Sequence, residues 1–264
     1  MNDSTTPSLP ELPEIWQQTL NWQPTTKQQV QLQRLYELIL EGNQKLNLTR
    51  ITDPQEFWEK HLWDSLRGVA LLLRVGEKDD GEMGRLGDGE KDFTPRPHHF
   101  IDIGTGAGFP GIPVAIALSD CTVTLVDSTR KKIAFLEQIL PELALENVKT
   151  LTGRAEEIGQ QSQYRQNYDV AMIRAVSNAS VCAEYTLPLL KQGGLAIIYR
   201  GNWTEEETTA LTDAVKLLGG EIEAIEQFTT PLSKSLRHCL YLRKIATTPA
   251  KFPRAVGIPT HKPL

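Results

Sequence analysis

The densest chemical signal in the chain is the run Ile101-Asp102-Ile103-Gly104-Thr105-Gly106-Ala107-Gly108-Phe109-Pro110-Gly111. An apolar, β-like stretch ends in glycines and passes directly into a helical pattern. Glycines let backbone approach a ligand closely, and the first turn of a helix presents N–H groups without intrahelical partners. Gly106, Gly108 and Gly111 fit the GxGxxG spacing of dinucleotide sites, while Gly104, Gly106 and Gly108 fit GxGxG. Asp127 closes the next β-branched run, 23 residues after Gly104. A carboxylate there can accept hydrogen bonds from both hydroxyls of a ribose. The alternative is a helix cap, because Asp127-Ser128-Thr129 also precedes a helical pattern at Arg130. Ribose contact is the favoured reading. The chemistry is recognition of an adenosine-containing ligand, and Asp127 alone does not separate a nicotinamide dinucleotide from S-adenosylmethionine.

A parallel sheet is what brings such residues to one edge. From residue 99 onward, β-like runs at 100–103, 122–127, 148–151, 168–173 and 195–199 alternate with helical patterns at 110–118, 130–140, 179–190 and 205–218. Two further runs, 222–228 and 238–242, have no helical pattern between them and read as an antiparallel hairpin. The alternation predicts an α/β, Rossmann-like class: a seven-stranded, mostly parallel sheet with helices on both faces. Upstream, Val30, Leu32, Leu35, Tyr36 and Ile39 recur at helical spacing. Asp53-Pro54 reads as an N-cap with proline at the first helical position, opening a helix to about Leu73. The domain reading is an irregular N-terminus at 1–26 and a helical extension at 27–75. A flexible polar insertion at 76–98, a ligand-binding domain at 99–244 and a basic tail at 245–264 follow.

Composition narrows the class. Of 264 residues, 40% are hydrophobic and 23% charged, ordinary globular values. No apolar run approaches the roughly 20 residues of a membrane helix. MNDSTTPSLPELPE has neither the basic start nor the apolar centre of a secretory signal. Three scattered cysteines without CxxC spacing point to a reducing compartment, with no disulfide framework and no metal site. The expected location is cytoplasmic. The formal charge of −5 conceals an asymmetry: Lys234, Arg237, Arg243, Lys244, Lys251, Arg254 and Lys262 occur after residue 233, where no acidic residue occurs. A basic tail on an acidic body is a candidate phosphate-binding patch, or a solvated terminus.

Three features favour S-adenosylmethionine. Bulky Phe109 and Pro110 end a loop that has no pyrophosphate to cradle. The terminal hairpin suits a methyltransferase sheet. The third strand is followed by Gly153-Arg154-Ala155-Glu156, where an acidic residue of this fold contacts adenine; a solvated helix-terminal charge is the alternative for Glu156.

Several strings are more distinctive than the glycine loop. They are Asn47-Leu48-Thr49-Arg50-Ile51-Thr52-Asp53, His61-Leu62-Trp63-Asp64-Ser65-Leu66, IDIGTGAGFPGIPVAIA and Leu125-Val126-Asp127-Ser128 with Arg130-Lys131-Lys132-Ile133-Ala134-Phe135-Leu136. Tyr168-Asp169-Val170 with Arg174-Ala175-Val176, and Phe252-Pro253-Arg254 with Gly257-Ile258-Pro259, continue the pattern. Over roughly 27–75 and 99–264 the chain resembles the bacterial 16S rRNA guanine-N7 methyltransferases, also called glucose-inhibited division protein B. The resemblance implies a Rossmann-like catalytic domain with an N-terminal helical extension. It implies S-adenosylmethionine as cofactor, and methyl transfer to N7 of one guanine in small-subunit rRNA. Carried over by position, the cofactor contacts are Gly104, Phe109, Asp127, Ser128, Thr129, Ala155, Glu156 and Arg174, beside Gly106 and Gly108 of the loop. The polar insertion and the long N-terminus depart from the family pattern without touching a matched string.

Arg174 is the expected catalytic residue. It follows the fourth strand at the carboxyl edge of the sheet, placed to hold the cofactor or to present two donors to guanine O6 and N7; a structural ion pair is the alternative. Arg200, Lys234, Arg237, Arg243, Lys251 and Arg254 are the RNA-backbone candidates, each singly also readable as a solvated charge. His61 and Asp64, three apart on a helix, read as a bond closing the helical extension onto the catalytic domain. The expected partner is 16S rRNA or the small ribosomal subunit, with the chain acting as a monomer. Competing readings are a methyltransferase of other substrates, an NAD oxidoreductase and a non-enzymatic RNA chaperone. The intact glycine loop and Asp127 speak against the last.

Overall fold

The computed structural model describes residues 7–73 and 99–264; the insertion read at 76–98 lies outside them. Seven strands form one sheet: β1 (His99–Ile103), β2 (Thr122–Asp127), β3 (Val148–Thr152), β4 (Tyr168–Arg174), β5 (Leu190–Arg200), β6 (Gly220–Thr229) and β7 (Leu236–Lys244). Their order is β3-β2-β1-β4-β5-β7-β6. The first five run parallel, and β7 pairs antiparallel with both β5 and β6. This is the predicted Rossmann-like sheet with its terminal hairpin.

Alternation along the strands explains the layers. Phe100, Met172, Ile197, Tyr199, Cys239 and Tyr241 point to one face, which the N-terminal helices cover together with α6 (Gly111–Ala117) and α7 (Arg130–Glu142). Ile101, Ile103, Ile173, Ile198 and Leu240 point to the other. That face is covered by α9 (Ala179–Thr186) and α10 (Glu205–Leu217); short α8 (Ala155–Ile158) follows β3. Apolar residues on both sides are what a parallel sheet requires.

The N-terminal helices are α1 (Pro13–Leu20), α2 (Thr26–Asn43), α3 (Pro54–Phe57), α4 (Asp64–Arg67) and α5 (Ala70–Leu73). Helix α1 corrects the reading of 1–26 as irregular. Trp16 and Leu20, four apart, bury one helical face beside Trp22, and Trp16 packs on Trp58 with ring centroids 4.6 Å apart. Asp53 caps α3 through the amides of Gln55 and Glu56, as its place before Pro54 predicts. The single helix expected to Leu73 is instead divided by a π-helical turn, Trp58–Trp63, and by a break at Gly68. The helical unit shares its core with the sheet. Tyr199 Oη donates to the carbonyl of Ser65 at 2.8 Å and Tyr241 Oη to that of Gly68 at 3.2 Å. The helix expected over 179–190 stops at Thr186, and a 3-10 turn, Leu187–Leu189, leads into β5. The C-terminal segment carries a last helix, α11 (Ile258–His261).

Candidate active site

Register places the candidate residues at one edge. Ile103 lies opposite Val126 and Ile173, Asp127 opposite Thr152, and Arg174 opposite Tyr199, so the chain leaves all these strands on the same side. There a cleft of about 220 Å³ is lined by Gly104, Asp127, Ser128, Ala155 and Glu156, together with Tyr185 and Thr260. Gly106, Gly108, Phe109, Thr129 and Arg174 are not in its wall.

Asp127 organises the loop. Its Oδ2 accepts from the Gly106 amide at 3.1 Å and its Oδ1 from the Thr129 amide at 2.8 Å. The side chain lines the cleft and holds the amide of Thr129, the residue before α7, but does not itself cap that helix. Gly106 holds φ +60 and a Cβ there would make an ordinary contact, 3.9 Å to the Gly104 carbonyl oxygen, whereas a Cβ on Gly111 would clash with Leu125 Cδ2. The first glycine is required by conformation, the second by the close packing of helix on strand.

Glu156 is not the solvated helix charge it resembled. It is buried, and its Oε1 accepts from Tyr185 Oη at 2.9 Å and from the Gly257 amide at 3.1 Å. The C-terminal segment is thus part of the cleft, which composition alone presented as a basic tail. Deleting residues 257–264 is expected to weaken cofactor binding about tenfold, the scale of one hydrogen bond to a charged group. Titration calorimetry checks this, and an unchanged affinity would contradict the placement.

Arg174 lies on the sheet face covered by the helical unit, because β4 alternates. Its Nη1 meets Asp64 Oδ2 at 2.8 Å and the Lys60 carbonyl at 3.2 Å. Its Nε and Nη2 have no hydrogen bond among the described residues, and its guanidinium lies 5.8 Å from the Phe109 ring centroid. His61 stacks on that same ring at 4.4 Å and 10°, while its Nε2 bonds to Thr49 Oγ1 at 2.8 Å. Burial, with the charges of Arg174 and Lys60, pushes His61 down to about 3, so the ring is neutral at physiological pH. The expected closure of the helical unit is present, but Asp64 and His61 bind the catalytic half separately rather than each other.

Sequence reading missed Asp102. It is fully buried, with Oδ2 accepting from Thr105 Oγ1 at 2.6 Å and from the Gly111 amide at 2.8 Å. Its Oδ1 is buried without a partner among the described residues. Burial raises this carboxyl to about 6 from an ordinary 3.8, against the pull of those two bonds. Between these values the folded chain holds a proton that the unfolded chain has released. Stability from this group is therefore full below the ordinary value and is lost as pH rises towards 6. Asp102→Asn removes the titration. The melting temperature of the variant minus that of the wild type is expected to grow from pH 4.5 to pH 7 (about 2 °C or more at this chain length). A difference constant with pH would contradict this.

Comparison with known proteins adds a family. The family model described as rRNA small subunit methyltransferase G matches residues 28–79 and 90–238. A protein of that name from Nostoc punctiforme is 68% identical over 256 residues, covering 97% of this chain and 98% of its own. Another from Trichodesmium erythraeum is 55% identical over 264 residues, covering 100% and 98%. The chain belongs to the rRNA small subunit methyltransferase G family. Among solved structures, a 16S rRNA (adenine(1408)-N(1))-methyltransferase from Catenulisporales acidiphilia superposes with a TM-score of 0.50 at 16% identity. It covers 58% of this chain and 87% of its own, a likeness of fold.

Within this family member, several predicted RNA contacts are already engaged. Arg254 makes a bidentate ion pair with the fully buried Glu184, with Nη2 to Oε2 at 2.6 Å. Arg243 pairs with Glu223 and also donates to the Gly193 carbonyl at 2.7 Å; it lies opposite Leu195, at the sheet edge away from the cleft. Both are ion-paired in the fold, to partners 20 and 70 residues away that no charge pattern along the sequence reveals. Lys251 is exposed over the Phe252 ring. Arg200, Lys234 and Arg237 do lie towards the cleft edge. Arg200 donates to the Ser177 carbonyl at 2.7 Å and Lys234 to that of Pro231 at 2.7 Å. Arg237 donates to the Leu236 carbonyl at 3.0 Å. A larger cleft of about 990 Å³, between residues 8–11 and α2, contains none of the candidate residues.

Proposed function

We propose that the chain transfers the methyl group of S-adenosylmethionine to N7 of one guanine in 16S rRNA of the small ribosomal subunit. The observation that carries the reading is the cleft at the carboxyl edge. A glycine loop, a ribose-competent Asp127 and a buried Glu156 line one nucleoside-sized space in a member of an rRNA methyltransferase family. About 220 Å³ is below the roughly 300–1,000 Å³ of pockets that enclose drug-sized ligands, which suits the nucleoside half of the cofactor. The cleft wall offers the carboxylates of Asp127 and Glu156 as acceptors and the glycine loop's backbone at Gly104 for close approach, so the residues fit the cofactor. When bound, S-adenosylmethionine supplies a methyl group on a sulfonium centre.

The chain's own part is positioning. Guanine N7 has an in-plane lone pair and no proton, so no general base is required and orientation supplies most of the catalysis. Asp64 and the Lys60 carbonyl fix the Arg174 guanidinium at the end of β4, leaving Nε and Nη2 for cofactor or substrate. Neutral His61 stacks on Phe109 beside it. No metal is needed for this chemistry.

Calorimetry with S-adenosylmethionine and NAD, followed by label transfer to unmodified small-subunit RNA, tests the reading. Binding of the methyl donor and label in RNA are expected. NAD binding without methyl-donor binding would replace the reading with an oxidoreductase.

A further inference from the structure

We propose that the RNA substrate docks its phosphate backbone on a rim of four cations, Lys45, Arg50, Arg130 and Lys131, rather than on the ion-paired Arg243 and Arg254. The inference rests on the methyl-transfer reading above. All four residues are exposed, and none has a side-chain partner among the described residues. Two structural ties bring them to the mouth of the site. Arg50 follows Thr49, whose hydroxyl holds His61 against Phe109 of the glycine loop. Arg130 and Lys131 follow Thr129, whose amide donates to Asp127. The two pairs therefore approach the glycine loop from its α2 side and its α7 side.

The connector between α2 and α3 is fixed rather than loose. Asn43 donates through Nδ2 to the Thr49 carbonyl at 2.8 Å and accepts through Oδ1 from the Leu48 and Thr49 amides. A Cβ on Gly42 would lie 2.3 Å from Phe135 of α7, so the end of α2 sits directly on the second turn of α7. Neighbouring carboxylates do not neutralise the rim. Glu41 pairs with Arg34 at 3.4 Å, Glu56 pairs with Lys60 at 2.6 Å, and Asp53 is taken by the Gln55 and Glu56 amides. Three of the C-terminal cations differ in this respect, whereas Lys234 and Arg237 bond to backbone carbonyls at the cleft edge. Arg243 and Arg254 are ion-paired, and Lys244 is buried against the Leu187 carbonyl and Thr248. Unpaired cations beside a substrate cleft on an acidic protein suit a polyanion, and each phosphate they meet releases counterions.

The test measures binding of unmodified 16S RNA to the full chain across a salt series. The variants are Lys45→Ala/Arg50→Ala, Arg130→Ala/Lys131→Ala and, from the C-terminal segment, Lys251→Ala. Each rim pair is expected to weaken binding tenfold or more at low salt and to flatten the slope of log K against log [salt] by about 1.5. The affinity for S-adenosylmethionine stays at the wild-type value, which shows that the variants are folded. Lys251→Ala should bind RNA as the wild type does. Wild-type RNA affinity and slope in both rim variants, with the wild type still methylating RNA, would overturn the rim and leave the methyl-transfer reading standing. Loss confined to Lys251→Ala would return the contact to the C-terminal segment. A wild-type chain that binds the methyl donor but neither binds nor methylates RNA would remove both.

Discussion

Arg174→Ala is expected to lower methyl transfer by about a hundredfold or more, the scale of a misplaced reacting group. It is also expected to destabilise the chain by about 3 kcal/mol. The two effects have separate causes. Asp64 is mostly buried, and without the guanidinium its carboxylate has lost its charged partner at 2.8 Å. Adding Asp64→Asn to Arg174→Ala removes that uncompensated charge, so the double variant recovers stability. It does not recover transfer, because Nε and Nη2 are gone from the end of β4. Thermal melts and initial rates on the single and double variants separate the two. Recovery of transfer in the double variant would reduce Arg174 to a structural ion pair, the alternative its sequence position left open.

Asp127→Ala should raise the dissociation constant for S-adenosylmethionine by tenfold or more. Hydrogen bonds to a charged acceptor are worth about 1.5–3 kcal/mol each, and this carboxylate holds both the Gly106 and Thr129 amides. Without it the glycine loop and the residue before α7 are no longer tied together, and the cleft loses the acceptor proposed for the ribose. Asp127→Asn keeps one acceptor oxygen and falls between the alanine variant and the wild type. Calorimetry with the methyl donor reads both, and wild-type affinity in the alanine variant would place the ribose elsewhere.

The sheet was legible because its signals are local. β-branched runs, glycine turns and helical periodicity each span a few residues, and they gave seven strands in the right classes and an antiparallel hairpin. Helix α1 was obscured by Pro, Thr and Ser around it, although Pro13 and the Trp16–Leu20 spacing are a usable signal. The site was legible only in part. Gly104 and Asp127 announce themselves by position after a strand. Asp102 sat in the same string unnoticed, since only its burial against Gly111 and Thr105 distinguishes it. The C-terminal segment was misjudged for a related reason. Its charge is visible in sequence, but the partners of Arg254 and the amide of Gly257 that meets Glu156 lie 70 and 101 residues away along the chain. Charge counting assigns such a cation to solvent or to a polyanion, while in the fold Arg254 pairs with buried Glu184 and a backbone amide nearby meets Glu156 in the cleft wall.

The most direct test of the central claim is the identity of the methylated nucleoside. Purified chain is incubated with methyl-tritiated S-adenosylmethionine and unmodified small subunits or their RNA, the RNA is digested to nucleosides, and the label is resolved by chromatography. The account predicts label in 7-methylguanosine arising from one position of 16S rRNA, lost in Arg174→Ala. Label in a methyladenosine, in a ribose methyl group or in ribosomal protein would contradict it.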